Sequence, residues 1–324
     1  MKQETYKQQL EKAIQSLEKL ELYKLDSERQ LLKEAFDILY QHQIFTLYNV
    51  DMSLHNEYKF ILFSTLTKHS GSLAFLAIQI LASHTIMSKN NFAKKEQYFN
   101  KKCGIAINHL RAPVTVVSAS KVDGGYKLKG KLTWASGYQI FDTLLIGFHY
   151  DGREYEAMAK FEDSERFKVG EVATSFVANS MATVNIELDN FFVAEEELVS
   201  SQLMGNYTKT KSISKTVHFA LYGLGLGAIE ALEDKEVKQI SFQKLEVIKE
   251  AFLATNNGEE MDALRIELVN LLQKIITTGM VLYGGKSILI EEQMQRYYRE
   301  LIMFNSNGLN KSIKELFRQD FLEN

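Results

Sequence analysis

The sequence has one cysteine, Cys103, and one proline, Pro113, in 324 residues. A single cysteine excludes an internal disulfide and fits a reducing compartment, so a cytoplasmic location is expected. A chain this poor in proline leaves long helices uninterrupted. An excess of one charge sign is also missing. Lys and Arg total 38 against 41 Asp and Glu, a net charge of −3, with no like-charge block long enough for a nucleic-acid arm. Met1 is followed by Lys2, Gln3 and Glu4 with no apolar run behind them, so no signal peptide is expected. The longest apolar stretches, 73–86 and 219–229, are too short or too interrupted to cross a bilayer, and no membrane partner is expected. Of the seven histidines, none stands three or four residues from another His or Cys, so no metal site is expected. What remains is ordinary globular material, 45% apolar and 24% charged, enough to bury a large core.

The periodicity changes twice along the chain. In 31–47 the residues Leu31, Leu32, Ala35, Phe36, Ile38, Leu39 and Phe45 recur at helical spacing. The apolar stretch 58–86 is broken by Ser70 and Gly71 and reads as two helices or one core helix. From Cys103 the texture becomes β: 103–108, 114–119, a turn at Asp123-Gly124-Gly125 followed by Tyr126, Leu128 and Leu132, then 141–148 and 155–161. In 182–188, Val184, Ile186 and Leu188 alternate with Thr183, Asn185 and Glu187. No helix-length crossover interrupts this stretch, so six to eight antiparallel strands are expected. Helical spacing returns over 212–232, 242–252 and 260–282, stops at Gly284-Gly285 and resumes in 288–317. Helices, then strands, then helices make an α+β chain, divided here as an N-terminal helical domain at 1–102, a middle β-domain at 103–200 and a C-terminal helical bundle at 201–324.

Three features bear on chemistry. Gly223, Gly225 and Gly227 imitate part of a dinucleotide fingerprint, but no strand precedes them and no acidic residue follows at the required distance. Their helical surroundings predict close approach of another helix. Cys103 has no histidine near it in sequence, and a lone buried-looking thiol is usually inert. Trp134, the only tryptophan, ends a hairpin strand. Taken alone it reads as a core residue; beside the Ser136 hydroxyl it also reads as an aromatic flank for a planar ligand.

Residues 121–137, with the Asp123-Gly124-Gly125-Tyr126 turn and the Trp134-Ala135-Ser136-Gly137 exit, resemble the middle domain of the acyl-CoA dehydrogenase family. Residues 184–198 (VNIELDNFFVAEEEL) are similar to that family's closing strand, and 217–232 to its first bundle helix. Tyr283-Gly284-Gly285 with Arg296-Tyr297-Tyr298-Arg299-Glu300 resembles its last conserved run, and the matches fall in family order from about residue 100 onward. The resemblance implies a cytoplasmic homodimeric flavoprotein that binds FAD between the β-domain and the bundle, often with help from a second subunit. It implies flavin contacts at Trp134 and Ser136, at Asn108 and His109, and at Gly284 and Gly285. The Trp134-Ala135-Ser136-Gly137 variant is closer to a divergent branch that includes flavin-dependent monooxygenases.

The departures from the family run are specific. Asn108-His109-Leu110-Arg111-Ala112-Pro113 replaces a loop that normally carries a serine and an acid. Val281 stands where a glutamine is usual, and the stretch that binds FAD phosphates across the dimer is missing around 233–239. The usual catalytic glutamate falls on Gly308, and its alternative near Lys215 and Thr216. Dehydrogenation of a thioester needs a carboxylate to take the α-proton. His218, about one helical turn from the alternative position, is a weak replacement candidate, with a partly buried helix residue as its plain reading. Three functions are therefore carried forward. They are an oxidoreductase acting on an acyl-CoA or other small organic substrate, a monooxygenase-like enzyme that needs no glutamate base, and a non-catalytic homologue serving as partner subunit or scaffold.

Overall fold

A computed structural model describes residues 3–111, 114–206, 214–307 and 309–323. Five helices lead: α1 (Gln3–Leu17), α2 (Arg29–Gln41), α3 (His55–His69), α4 (Gly71–Lys89) and the short α5 (Lys95–Phe99). The break at Ser70 and Gly71 separates two helices. The Ser70 hydroxyl caps α4 by accepting from the Leu73 N–H at 3.2 Å. A carboxylate from the far end of the chain adds a second cap, Glu300 Oε1 accepting the Gly71 N–H at 2.7 Å. α4 is apolar on every side, as a helix enclosed by protein must be. Its 19 residues are long and apolar enough to cross a membrane, which corrects the expectation from sequence, yet 67% of its most apolar window is buried inside the protein.

The strands form one sheet: β1 (Cys103–Ala106), β2 (Val117–Val122), β3 (Gly125–Ala135), β4 (Thr143–Tyr150), β5 (Arg153–Lys160), β6 (Phe167–Val169), β7 (Val184–Ala194) and β8 (Leu198–Leu203). Their order is β6-β7-β3-β2-β4-β5-β8, with β1 alongside β4. Neighbouring strands run antiparallel except β1 and β2, which lie parallel to β4. This mixed character was not legible in the sequence. It arises because β1 and β2 act as one interrupted strand. The register offset to β4 is 40 at Ala106↔Ile146 and 31 at Ser118↔His149, so nine residues are looped out between them. That loop carries Asn108 and His109.

Trailing the sheet are α6 (Thr216–Glu230), α7 (Lys235–Ala254), α8 (Gly258–Tyr283), α9 (Gln293–Asn305) and α10 (Lys311–Glu323). The three glycines of α6 do what their helical setting predicts. A side chain at Gly223 would strike the α3 backbone, 2.5 Å from the Phe63 carbonyl oxygen; Gly225 faces Leu272 and Leu245, and Gly227 the Tyr297 ring. Backbone contact between α3 and α6 joins the leading helices to the trailing ones. One continuous core runs from Tyr6 and Phe36 through Leu128 and Phe148 to Phe219, Leu272 and Phe304. A smaller one, around Phe99, Leu145 and Met158, lies on the opposite sheet face.

Candidate functional site at the end of strand β3

Near its exit β3 holds a β-bulge: Leu132 pairs with Ile186 but Ala135 with Val184, so one extra residue is accommodated. Trp134 sits in that bulge with φ +59°, a left-handed conformation that costs a residue with a Cβ about 1–2 kcal/mol. The bulge turns its indole outward, leaving the residue 73% exposed, where the plain reading of the sequence placed it in the core. The Trp134 backbone N–H donates to Asn185 Oδ1 at 3.4 Å. Two residues on, Ser136 is buried, its hydroxyl 2.8 Å from Thr183 Oγ1. Thr183 and Asn185 are on the polar side of the alternation seen over 182–188, whose apolar side, Val184, Ile186 and Leu188, is buried as expected. An exposed aromatic plane beside a hydroxyl edge is suited to a flat heteroaromatic ligand.

Around this point the backbone is unusually constrained. Gln139, Ala178 and Ala182 also have positive φ. The Gly137 N–H donates to the Met181 carbonyl at 2.6 Å and the Tyr138 N–H to that of Ala182 at 3.3 Å. Such residues persist only where their surroundings over-determine them, and they concentrate at binding sites.

The looped-out segment places Asn108 in solvent and His109 partly buried, with His109 Nε2 2.9 Å from the Gly147 carbonyl oxygen. Leu110 fills the space that a side chain at Gly147 would take. By register, Gly147 is level with Lys131, three residues and two strand spacings from Trp134. The sheet thus brings the Asn108–His109 loop to the same region as the bulge. Gly284 and Gly285 are elsewhere. Gly284 ends α8 with φ +71°, and no neighbour would obstruct a Cβ at either glycine. Their 3₁₀ turn, Gly284–Ile288, packs chiefly against α8 and α9.

His218, the sequence's candidate base, is 4% exposed inside the trailing helices. Its Nε2 lies 2.9 Å from the Met261 carbonyl oxygen, and burial pulls its pKa down to about 4. The correction has a simple cause: His218 lies on the enclosed side of α6, with the Phe252 ring 5.7 Å away and the Met261 carbonyl as its partner. Lys215 is likewise buried and donates Nζ to the Leu253 carbonyl at 2.7 Å. Gly308 lies outside the described residues. Cys103 is a free, fully buried thiol, pushed up to about 11 by burial.

Sequence reasoning missed a polar cluster beneath the His109 loop. His149 on β4 faces Glu154 on β5 across the pair, and Glu156 lies two residues further on the same face. Glu154 accepts from Gln202 at 3.1 Å and from the Gly205 N–H at 2.7 Å; Glu156 accepts from Ser200 at 2.6 Å. Burial raises the Glu156 carboxyl, reinforced by the Glu154 charge, and lowers His149. The i, i+2 spacing of the two glutamates was readable, but not that their face is covered. Among the described residues, no group of three or more His, Cys, Asp or Glu side chains could hold a metal ion.

The chain matches no protein-family model and no curated protein sequence. Solved structures do resemble it. Glutaryl-coenzyme A dehydrogenase in its glutaryl-CoA complex superposes with a TM-score of 0.78 at 14% identity, over 100% of this chain and 96% of that one. KijD3, solved with FMN and dTDP-3-amino-2,3,6-trideoxy-4-keto-3-methyl-D-glucose, gives 0.77 at 14% identity, over 98% and 94%. The HsaA monooxygenase from M. tuberculosis gives 0.69 at 12% identity, over 97% and 98%. Agreement along the whole length, with helices, an eight-stranded mixed sheet and helices in this order, gives the chain the acyl-CoA dehydrogenase fold.

Proposed function

We propose that this protein is a flavin-dependent oxidoreductase of a small organic substrate, an acyl-CoA or another, with FAD as the expected cofactor. The observation that carries the reading is the Trp134 bulge, an indole held outward at a conformational cost, with the Ser136 hydroxyl two residues on. A flavin ring fits these residues: the indole offers an open face, and a hydroxyl whose bond among the described residues is to Thr183 keeps hydrogen-bonding capacity. The backbone at Asn108 and His109 would border the ring, and Ser136 would orient its edge. When bound, the flavin supplies hydride or single-electron chemistry.

Gly284 and Gly285 pack chiefly with α8 and α9, so on this reading they join the flavin site from a second copy, in a homodimer. The exposed Val281, Leu282, Ile288, Leu289 and Ile290 beside them give that copy an apolar face to cover. The chain would divide into units 1–102, 103–200 and 201–324, and work in a reducing cytoplasm.

The first turn of α6 favours a second reading, the monooxygenase-like one. Lys215 and Thr216 stand where an alternative base would be, His218 is enclosed, and no carboxylate is offered there. General-base removal of an α-proton contributes about 10²- to 10⁴-fold in rate, so efficient acyl-CoA dehydrogenation is not expected.

The test is the visible spectrum of the purified protein, followed by anaerobic mixing with saturated acyl-CoAs. Bound flavin that Trp134→Ala weakens supports the site. Rapid bleaching by an acyl-CoA would establish dehydrogenation. Oxygen consumption with NAD(P)H, without such bleaching, would establish the monooxygenase reading. No flavin under any condition would leave the scaffold role.

A further inference from the structure

We infer that Asp26 and Arg299, which belong to the leading and trailing helical regions, are positioning residues that hold the Trp134–Ser136 platform in its strained shape. The inference rests on the flavin reading above for its function but not for its geometry.

Apart from Asn185 on β7, the platform's partners come from one loop. Ala173 N–H donates to the Thr183 carbonyl at 2.8 Å, Met181 and Ala182 carbonyls accept from Gly137 and Tyr138, and Thr183 bonds Ser136. Residues 173–183 therefore wrap the exit of β3. That loop is fastened at its middle to a single carboxylate. Asp26, 5% exposed, accepts the Ala178 N–H on Oδ1 at 2.6 Å and the Ser72 hydroxyl at 3.3 Å. Its Oδ2 pairs with Arg299 Nη1, which also donates to the Phe176 carbonyl at 3.0 Å. The neighbouring Leu25 carbonyl accepts the Ser180 hydroxyl at 2.5 Å. Ala178, at φ +59°, is the residue pinned by Asp26, and Ala182, at φ +46°, is the one that receives Tyr138.

Two alanines in left-handed backbone have no intrinsic reason to stay there. A nearly buried ion pair that bonds the loop at Ala178 and two residues before it supplies one, and removing either partner leaves a buried charge uncompensated. Arg299 Nε meanwhile donates to Gln295 Oε1 at 2.8 Å, which holds the fork in its direction. The 3₁₀ helix Leu22–Asp26 and the penultimate helix, α9, thus meet at the loop that shapes the candidate site.

The experiment uses the full chain and its only tryptophan. Steady-state anisotropy of Trp134 emission is measured without flavin, and quenching of the same emission by added FMN or FAD gives affinity. Asp26→Asn keeps the acceptor but loses the charge; Arg299→Lys keeps the charge but not the two-pronged reach. Both should lower the anisotropy and weaken flavin binding on the order of tenfold or more, as misplacement of a contact group does. Arg299→Ala should do so more strongly, and Arg299→Lys decides if that variant does not fold. Leu272→Ala, a core truncation in α8, should lower the melting temperature without changing the anisotropy. Unchanged anisotropy in Asp26→Asn and Arg299→Lys would overturn the inference, as would an equal fall in Leu272→Ala. Absence of flavin binding in the unaltered protein would sink the functional reading alone, because the anisotropy decides the positioning role without flavin.

Discussion

Trp134 and His218 exchange the places that their residue types suggest. The largest apolar side chain type stands in solvent on a strained bulge, while a titratable ring is sealed among helices. The difference lies in what encloses them. α6 packs against α3, α7, α8 and α9, so most of what it carries is buried, polar or not, His218 included. β3 outruns β2, whose last partner is Gly130, and its end, paired on one side only with β7, can turn a side chain outward. Burial is thus set by an element's position, and a polar group that burial catches must find partners or shift its ionisation.

The largest effects that would sharpen this contrast are pH effects of opposite sign. Glu300 is 1% exposed, and burial raises its pKa to about 7 despite Arg296 at 3.6 Å. The folded state then holds a proton that the unfolded chain releases between about pH 4.5 and 7, so stability falls as pH rises through that range. At about 1.4 kcal/mol per unit, the loss is at most roughly 3 kcal/mol. Glu300→Gln should flatten that part of the stability profile in urea titrations. An unchanged slope would show that the carboxyl is solvated.

His218 works the other way. Its pKa falls to about 4, so the unfolded state binds the extra proton between pH 4 and 6.5, and stability rises with pH there. His218→Gln should remove up to roughly 3 kcal/mol of that rise. It should leave flavin bleaching by any substrate untouched. Loss of bleaching would restore His218 as a base and break the contrast.

Glycines test the same contrast at intermediate size. Gly223→Ala pushes a methyl into the α3 backbone and should cost about 1–3 kcal/mol. Gly285→Ala, with open space around it and no positive φ, should be neutral within about 0.5 kcal/mol. Equal effects would mean that α3 and α6 are not in backbone contact.

The smallest effect is a gain. Trp134→Gly relieves the left-handed strain and should stabilise the chain by up to about 1 kcal/mol while weakening flavin binding. A destabilised variant would mean that the indole packs rather than waits for a ligand.

Periodicity determined the order helices, strands, helices and the inward face of β7, because both follow from which residues must be hidden from water, while Ser70-Gly71 and Gly284-Gly285 marked a break and a stop by their residue types. The glycines of α6 were read correctly for the same local reason. The short strands β6 and β8 carried no clear signal, and the parallel pairing of β1 and β2 with β4 depends on a register between distant segments. At the candidate site, Trp134 and Ser136 were named from a local motif, but whether the indole faced core or solvent hung on one bulged residue in the pairing with β7. Asp26 and Arg299 stand 273 positions apart, and nothing in either neighbourhood announces the other. Only the tertiary structure decided that they meet, because a buried charge takes its partner from space and not from sequence.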